Sequence, residues 1–314
     1  TETMKSINEE IVKQHGNITQ KKLSIAMDVS SKSSWGANIT SYLDEIPFAY
    51  IGKGEQNKIK TMISLNKNND CHVILIEEPE NHLSFSNMTK LISDISTACS
   101  EKQLIITTHS TFVLNKLGIK NVLILCNDII TPLSDLSVDT QKYFQKLPGF
   151  NTLRIILSKC PILVEGPADD LVLQKAYLLK NNKLPLDDGV DIIVMNGLAF
   201  KRFLDIAMLV NKKIKVIRDN DGKDIQKIEA NYKKYIEGGN LEIYCDSDPV
   251  VDTLEPQLLK YNDISILNKI FGQDCKTDEE ILYYMKRNKT ECALKIFETT
   301  EKINIPEYIT DAIK

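Results

Sequence analysis

The sequence predicts an α/β protein of two units followed by a helical C-terminal extension, and three observations support this fold class. The chain has 314 residues, enough to form two ordinary hydrophobic cores. Short continuous apolar runs alternate with segments of helical periodicity, which is typical of buried parallel strands covered by helices on both faces. Beyond residue 253, apolar residues recur at helical spacing and no strand candidate remains.

The composition narrows the class of protein. Hydrophobic residues make up 42% and charged residues 26% of the chain. No apolar run approaches the roughly 18 residues of a membrane span, and no apolar core of a secretory signal opens the chain. We therefore expect a soluble, cytoplasmic protein without a membrane partner. The seven cysteines have no close pair and indicate reduced thiols. A net charge of −4 neither favours nor excludes nucleic-acid binding, because basic residues can cluster on one face.

The first unit is predicted over residues 1–150. Thr1 stands where an initiator Met would normally be, so we expect a C-terminal fragment of a longer protein. The elements are predicted from their periodicity and turn formers. In order, they are a helix at 6–14, a strand at 22–29, a loop at 30–38, a helix at 55–66, a strand at 73–78, a helix at 84–99 and strands at 104–108 and 121–125.

The second unit is predicted over residues 151–252, after the Pro148-Gly149 turn, and the helical extension over 253–314. Four apolar strands in this unit each lead into an acidic or glycine-bearing segment, with helices between them. They are predicted at 162–166, 191–197, 213–221 and 241–248.

Two strands of the first unit deliver polar residues to their C-terminal ends. Glu77 and Glu78 follow one apolar run, and His109 follows the next. In open α/β sheets, nucleotide and metal sites lie at these ends, where a carboxylate can hold Mg²⁺ or orient a water against a γ-phosphate. Upstream, the segment IGKGEQNKIK leads into a helix whose N-terminus can face an anion. Taken singly, an acidic strand end is often a solvated cap and a lone His is often structural.

In this order and spacing, the features resemble ABC-type ATPases of the RecF and SMC kind. The resemblance implies a signature loop at Gly52–Gln56, which includes Gly54, a Walker B strand at 73–78, which includes Glu77, and a D-loop at 81–84. It implies that Glu78 polarises the attacking water and that His109 senses the γ-phosphate. Glu77 replaces the usual Asp, and Lys53 replaces the usual Ser. No G-x-x-x-x-G-K-[ST] motif occurs in the sequence. We therefore expect that this chain alone does not bind ATP well.

The second unit gathers carboxylates at neighbouring strand ends. Glu165 ends the first strand, Asp169 follows at the start of a helix, and Asp219 and Asp221 end the third strand. Each acid alone is compatible with a surface strand end. Together they would repel one another without a cation, and oxygen ligands select Mg²⁺ or Mn²⁺ over zinc.

The segments VEGPADD (164–170), MNG (195–197) and RDNDG (218–222) resemble a TOPRIM domain. A TOPRIM domain behind a RecF/SMC-like ATPase resembles the OLD (overcoming lysogenization defect) family of ATP-dependent endonucleases. The implied fold is a partial ABC-type ATPase α/β domain followed by a TOPRIM domain with a Rossmann-like parallel sheet and a helical extension. The resemblance implies two Mg²⁺ or Mn²⁺ ions.

By position in that family, the catalytic residues are Glu165, Asp219, Asp221 and Lys289, and the metal ligands are Glu165, Asp169, Asp219, Asp221 and Glu255. Asp246 and Asp248 are less secure acids. The segment NKTECAL (288–294) points to Lys289 as the charge-neutralising lysine, with Lys295 as the alternative.

The resemblance implies a metal-dependent DNA endonuclease or nickase regulated by the ATPase domain in anti-phage defence, as in Gabija-type and retron-associated systems. It implies ATP use in the full-length protein, homo-oligomerisation through the ATPase domain, and compatibility with a helicase or reverse-transcriptase partner. One alternative is a catalytically inactive TOPRIM module for DNA binding or assembly. Another, a topoisomerase or primase, requires a nucleophilic tyrosine or a zinc module that nothing in the sequence marks out.

Overall fold

The computed structural model describes residues 2–15, 22–27, 39–67, 71–126, 129–146 and 154–314. Contacts divide the chain into two compact units, Thr1–Leu117 and Gly118–Lys314. Residues 118–146 therefore group with the second unit, while the domain boundaries at 150 and 252 stay predictions. The predicted loop at 30–38 and the Pro148-Gly149 turn lie outside the described residues.

The first unit contains a small antiparallel sheet and a two-stranded parallel sheet. Strands β1, β2 and β3 form the antiparallel sheet, and β4 pairs in parallel with β5. The elements are α1 (Glu2–His15), β1 (Leu23–Met27), β2 (Ile39–Leu43), β3 (Ile46–Pro47), α2 (Lys53–Lys67), β4 (Val73–Glu77), α3 (Phe85–Ala98), β5 (Gln103–Thr107) and α4 (Thr111–Leu117). The predicted helices and strands of this unit are confirmed within a few residues, whereas β2, β3 and α4 were not predicted.

The core of the first unit lies on one face of β4 and β5. Ile74 and Ile76 point to the buried side of α3, where Leu91 and Ile95 are fully buried. Along both strands exposure alternates, and Leu75 is 73% exposed. The expectation that these strands are covered on both faces is therefore wrong for the described residues. A continuous apolar run is also compatible with one exposed face.

The second unit is a four-stranded parallel sheet with helices, preceded by a hairpin. Its first elements are β6 (Leu123–Cys126), β7 (Ile129–Pro132), α5 (Val138–Gln145), α6 (Arg154–Leu157), β8 (Cys160–Val164), α7 (Pro167–Asn181), β9 (Val190–Val194), α8 (Phe200–Leu209), β10 (Ile214–Ile217), α9 (Ile225–Glu237) and β11 (Leu241–Tyr244). The extension adds α10 (Leu254–Tyr261), α11 (Ile264–Phe271), α12 (Asp278–Arg287), α13 (Lys289–Glu298) and α14 (Glu307–Ala312). The four predicted strands of the sheet and the helical tail are confirmed, although β10 and β11 end four residues earlier than predicted, so that Asp219 and Asp221 lie in a loop beyond β10.

The sheet has the strand order β11-β10-β8-β9, and all neighbouring strands are parallel. Their C-terminal ends therefore meet at one edge, where the acidic segments follow. In contrast, β6 pairs antiparallel with β7, so the prediction that 121–125 forms a parallel strand is wrong. Leu125 and Ile130 face each other across this hairpin and are 76% and 62% exposed. The apolar run alone could not distinguish a hairpin from a parallel strand.

The helical extension shares the hydrophobic core of the parallel sheet. Val164 and Ile217 of the sheet belong to the same buried cluster as Phe271, Met285 and Ile309 of the extension. This apolar contact fixes the extension, and the residues it carries, against the sheet. Among the helices in the described ranges, none is long and apolar enough to cross a lipid bilayer.

Candidate functional site

Three acids of the second unit lie just beyond the ends of neighbouring strands. Glu165 directly follows β8, Asp219 lies two residues beyond β10, and Asp246 lies two residues beyond β11. Because β11, β10 and β8 are adjacent and parallel, these acids share one edge of the sheet. Helix α7 begins at the same edge, and Asp169 lies in its first turn.

Asp219 is the most strongly perturbed carboxyl group of this edge. Burial is the largest cause, and the neighbouring Asp169, Glu165 and Glu255 carboxylates add to it, raising the pKa of Asp219 to about 8, while Lys289 opposes the shift. Its Oδ1 is buried and has no hydrogen-bond partner in the described structure. A buried carboxylate oxygen without a partner is costly unless a cation or proton neutralises it.

Asp169 is held at the start of α7. Its Oδ2 accepts a hydrogen bond of 2.8 Å from the Gly166 N–H, which caps the helix. Burial raises the pKa of Asp169 to about 6, and Glu255 adds to the rise, whereas the Gly166 hydrogen bond and Lys289 lower it. The Asp169 carboxylate therefore caps α7 and also interacts electrostatically with the neighbouring Glu255.

Arg218 contacts two of the predicted acids and was not predicted. Its Nε lies 3.6 Å from Glu165 Oε1, its Nη2 lies 2.6 Å from Asp221 Oδ2, and its side chain is 14% exposed. Burial raises the pKa of Glu165, and Arg218 opposes that rise. Asp221 itself is exposed and also lies 3.8 Å from Lys223. The sequence feature that could have indicated Arg218 is its position directly before the Asp219-Asn220-Asp221 segment.

Lys289 lies at the start of α13, with its Nζ 3.2 Å from Glu255 Oε1. Glu255 is 4% exposed, and its Oε2 accepts a hydrogen bond from the Thr253 hydroxyl. Lys295, the alternative lysine, instead donates to the Phe271 carbonyl at 3.0 Å. The geometry therefore brings Lys289, and not Lys295, to a predicted metal ligand.

Asp246 and Asp248 form a neighbouring acidic pair with its own cation. Asp246 Oδ1 accepts from the Asp248 N–H at 2.9 Å, and Lys260 Nζ lies 3.4 Å from Asp246 Oδ1 and 3.1 Å from Asp248 Oδ2. Asp246 is 4% exposed, and its Oδ2 has no hydrogen-bond partner among the described residues. Tyr308 connects this pair to the main group electrostatically. Burial is the largest cause that raises the pKa of Tyr308, followed by Asp219, Asp169 and Asp246.

The donor chemistry of this edge fits a hard divalent cation. The side chains are carboxylates, and Asp219 Oδ1 is a buried acceptor without a partner. As they stand, the described residues contain no group of three or more His, Cys, Asp or Glu side chains placed to hold a metal ion. Arg218 pairs with Glu165 and Asp221, and Lys289 pairs with Glu255, so these carboxylates would have to turn to hold a metal ion.

In the first unit, the predicted pair of Glu78 and His109 is brought together. Glu78 Oε1 lies 3.6 Å from His109 Nε2, and its Oε2 lies 3.4 Å from the His109 N–H. Burial and the neighbouring Glu80 raise the pKa of Glu78. Glu78 also has a φ of 43°, in the left-handed region of backbone conformation that residues other than glycine rarely adopt. Glu77 is exposed at the end of β4.

Glu80 organises the loop that carries His109 and was not predicted. Its Oε1 accepts from the Thr108 hydroxyl and, at 3.1 Å, from the Ser110 N–H. These two residues flank His109. Glu80 therefore holds the loop at the end of β5 against the loop at the end of β4, a role that strand periodicity does not reveal.

The predicted signature-loop residues have structural contacts. Gln56 Nε2 donates to the carbonyls of Phe48 and Ile51, both at 2.8 Å. A Cβ at Gly54 would lie 2.3 Å from the His82 carbonyl oxygen, so the start of α2 approaches residues 82–83 as only glycine allows. The close approach of Gly54 to His82 therefore joins the predicted signature loop to the predicted D-loop, whereas Gln56 binds the segment before α2.

Two family models match the chain. Residues 156–221 match the model described as "Overcoming lysogenization defect protein-like, TOPRIM domain". Residues 44–115 match the model described as "AAA domain, putative AbiEii toxin, Type IV TA system". The first match covers β8 to the Asp219-Asn220-Asp221 segment, and the second covers β4, β5 and the Glu78–His109 pair.

A curated relative is Endonuclease GajA of Bacillus cereus (strain HuB5-5), which is 26% identical over 238 residues. The alignment covers 63% of this chain, and the chain spans about a third (34%) of the length of that relative. A solved structure described as "Structural biochemistry of ATP-driven dimerization and DNA stimulated activation of SMC ATPases" is 10% identical. The match covers 41% of this chain and 83% of that chain, with a TM-score of 0.31. The resemblance to the OLD family is therefore confirmed, and the chain carries an OLD-like TOPRIM domain preceded by an ATPase-domain segment.

Proposed function

We propose that this chain is a metal-dependent DNA endonuclease or nickase whose TOPRIM site hydrolyses phosphodiester bonds. One observation carries the proposal: the buried, unpartnered Oδ1 of Asp219 lies in an OLD-like TOPRIM domain, with Asp169, Glu165 and Glu255 acting on the same carboxyl group. Such a group of acids is stabilised by divalent cations. The name of the relative GajA, an endonuclease, supports the same reaction class.

Five acids are proposed to hold the metal ions. Glu165, Asp169, Asp219, Asp221 and Glu255 would hold Mg²⁺ or Mn²⁺, two ions in the proposed arrangement. When bound, these ions supply an activated water and neutralise the leaving oxygen.

Lys289, exposed by about half and paired with Glu255, can turn toward a phosphate and neutralise its developing charge. Arg218, which pairs with Glu165 and Asp221, is a further cation at this edge and could neutralise charge on a phosphate in the same way.

The experiment that tests the proposal is incubation of supercoiled and linear DNA with the chain in Mg²⁺, in Mn²⁺ and in EDTA. We expect nicking or cutting that requires the metal and is lost in Glu165→Ala. Asp170→Ala is the matched control, because Asp170 is an acid five residues away, in the first turn of α7, whose side chain accepts a hydrogen bond from Gln174 instead. Cleavage that persists in EDTA, or that survives in Glu165→Ala, would refute the site.

The ATPase-domain segment is proposed to regulate the nuclease and to mediate homo-oligomerisation in a protein that also supplies a Walker A motif. The pairing of Glu78 with His109 supports a nucleotide-dependent role, since both groups would face a γ-phosphate. A role in anti-phage defence in the cytoplasm, with a helicase or reverse-transcriptase partner compatible with it, rests on the resemblance to the OLD family alone.

This chain alone is expected to bind ATP weakly. Its sequence has no G-x-x-x-x-G-K-[ST] loop, whose backbone N–H groups and Lys cradle the phosphates. Titration of a fluorescent ATP analogue in Mg²⁺ should show no saturation in the micromolar range. Saturable micromolar binding would mean that another part of the chain holds the phosphates.

A second candidate function is a catalytically inactive TOPRIM module that binds DNA or assembles a complex. One observation favours it: Arg218 and Lys289 already neutralise Glu165, Asp221 and Glu255. Thermal melts separate the two functions, because a ligand that binds only the folded state raises the melting temperature. An active site predicts saturable stabilisation by Mn²⁺, whereas an inactive module predicts none.

A further inference from the structure

Asn220, the residue between Asp219 and Asp221, is completely buried. Its Oδ1 accepts a hydrogen bond of 2.9 Å from the Gly222 N–H, which closes an Asx turn around Asp221. Its Nδ2 reaches three carbonyls of the segment that follows β11, those of Asp246 at 3.1 Å, Asp248 at 2.8 Å and Val251 at 3.2 Å. The amide therefore ties the loop after β10 to the segment 246–251.

Two further buried side chains continue this connection into the extension. The Val251 carbonyl also accepts from Gln257 Nε2 at 3.1 Å, and Gln257 Oε1 accepts from the Tyr308 hydroxyl at 2.6 Å. Gln257 is 0% exposed and Tyr308 is 8% exposed. A continuous buried network thus runs from the Asp219-Asn220-Asp221 loop through α10 to α14.

The network opposes a force that the acids create. Asp219, Glu165 and Asp169 lie at one edge of the sheet, and like charges there favour movement of the loop after β10 away from the other acids. Such movement would break the hydrogen bonds of Asn220 and leave its amide and its carbonyl partners unsatisfied, which is unfavourable for buried polar groups. The acids are therefore held close together without belonging to the network themselves.

We propose that Asn220, Gln257 and Tyr308 are positioning residues of the nuclease site, which hold Asp219 and Asp221 in the arrangement that takes up divalent cations. The inference rests on the proposed function. The three residues act through the loop after β10, as residues that orient metal ligands do. The C-terminal helix α14 is then part of the site, although it supplies no ligand.

The test is calorimetric titration of the whole chain with Mn²⁺, without DNA. We expect Asn220→Ala to weaken Mn²⁺ binding by about 10- to 100-fold, the effect typical of losing a partner that orients metal ligands. Tyr308→Phe removes only the hydroxyl at the far end of the network, and we expect a smaller loss in the same direction. If Asn220→Ala does not fold, the Mn²⁺ affinity of Tyr308→Phe still tests whether the network positions the acids.

Asn262→Ala is the matched control. Asn262 is also a buried asparagine, 6% exposed, whose Nδ2 donates to the Leu258 and Asn304 carbonyls and whose Oδ1 accepts from the Asn304 N–H. None of these hydrogen bonds reaches the loops after β10 and β11. We expect both Asn262→Ala and Asn220→Ala to melt at a lower temperature than the wild type, and Asn262→Ala to keep wild-type affinity for Mn²⁺.

The outcomes separate the inference from the function on which it rests. If the wild type binds Mn²⁺ and both Asn220→Ala and Tyr308→Phe bind it as tightly, the network is only structural and the inference is overturned. An equal loss of affinity in Asn262→Ala would overturn it as well, since a general loss of stability would then explain the effect. If the wild type itself binds no Mn²⁺, the proposed metal site fails, and the inference fails with it.

Discussion

In metal-free buffer at pH 7.5, we expect Asp219→Asn to melt about 4–8 °C above the wild type, although it should no longer cleave DNA. The wild-type carboxylate is buried among other acids and has an oxygen without a partner. An amide keeps the shape and removes the charge. A pKa of about 8 against 3.8 corresponds to about 6 kcal/mol at most. Relaxation and water entry reduce this, and about 2 kcal/mol in a domain of this size gives the stated shift.

The difference between the two proteins should depend on pH in a defined direction. The pKa of Asp219 is raised in the folded state, so the unfolded chain releases this proton first as the pH rises. Below about pH 4, both states of the wild type are protonated, and Asp219 costs no stability. The cost grows between pH 4 and 8 and is complete above pH 8. The stabilisation by Asp219→Asn should therefore appear across that window and vanish at its acidic end.

Asp221→Asn provides the control for this prediction. Asp221 carries the same charge two residues away, but its side chain is 48% exposed and pairs with Arg218 at 2.6 Å. Its replacement removes an ion pair and should leave the melting temperature unchanged or lower it. The measurement is a series of thermal melts in EDTA from pH 4 to 8. If Asp219→Asn melts at or below the melting temperature of the wild type at pH 7.5, the buried Asp219 carboxylate does not destabilise the fold.

The periodicity of the sequence predicted the parallel sheet of the second unit because its four strands are short apolar runs between helices. The same reasoning failed for residues 121–125, because an apolar run does not determine whether a strand pairs in parallel or antiparallel. Strand β6 pairs antiparallel with β7. Strands β2 and β3 escaped prediction because ITSYL and IP carry little apolar periodicity. Pairing in both cases depends on contacts between segments, which local sequence does not contain.

The shared location of Glu165 and Asp219 could be predicted because both lie at or just beyond the ends of parallel strands, where topology determines the location. Glu255 lies in α10, and only the family resemblance pointed to it. Arg218, Glu80 and the choice between Lys289 and Lys295 could not be predicted in the same way. Arg218 reaches its partners through a long flexible side chain, and Glu80 acts through Thr108 and Ser110. Lys289 and Lys295 lie on one short helix, so only the packing of α13 shows which of them meets Glu255.

The two lysines of α13 should differ sharply in their effect on DNA cleavage. Lys289 lies 3.2 Å from the buried Glu255 and is exposed enough to turn toward a phosphate, whereas Lys295 is held by the Phe271 carbonyl. Loss of a group that stabilises charge in a transition state typically slows catalysis by about 100- to 1000-fold. We expect a loss of this size in Lys289→Met and activity near the wild type in Lys295→Met.

The affinity for Mn²⁺ distinguishes a role of Lys289 in catalysis from a role in assembling the metal site. Because its ammonium group neutralises Glu255, its removal leaves a buried carboxylate that attracts a cation more strongly. Lys289→Met should therefore bind Mn²⁺ at least as tightly as the wild type while its cleavage rate falls, measured by calorimetry and by single-turnover cleavage. A parallel loss of affinity and rate would assign Lys289 to the assembly of the metal site. Equal losses of rate in both lysine variants would show that α13 matters only through its packing.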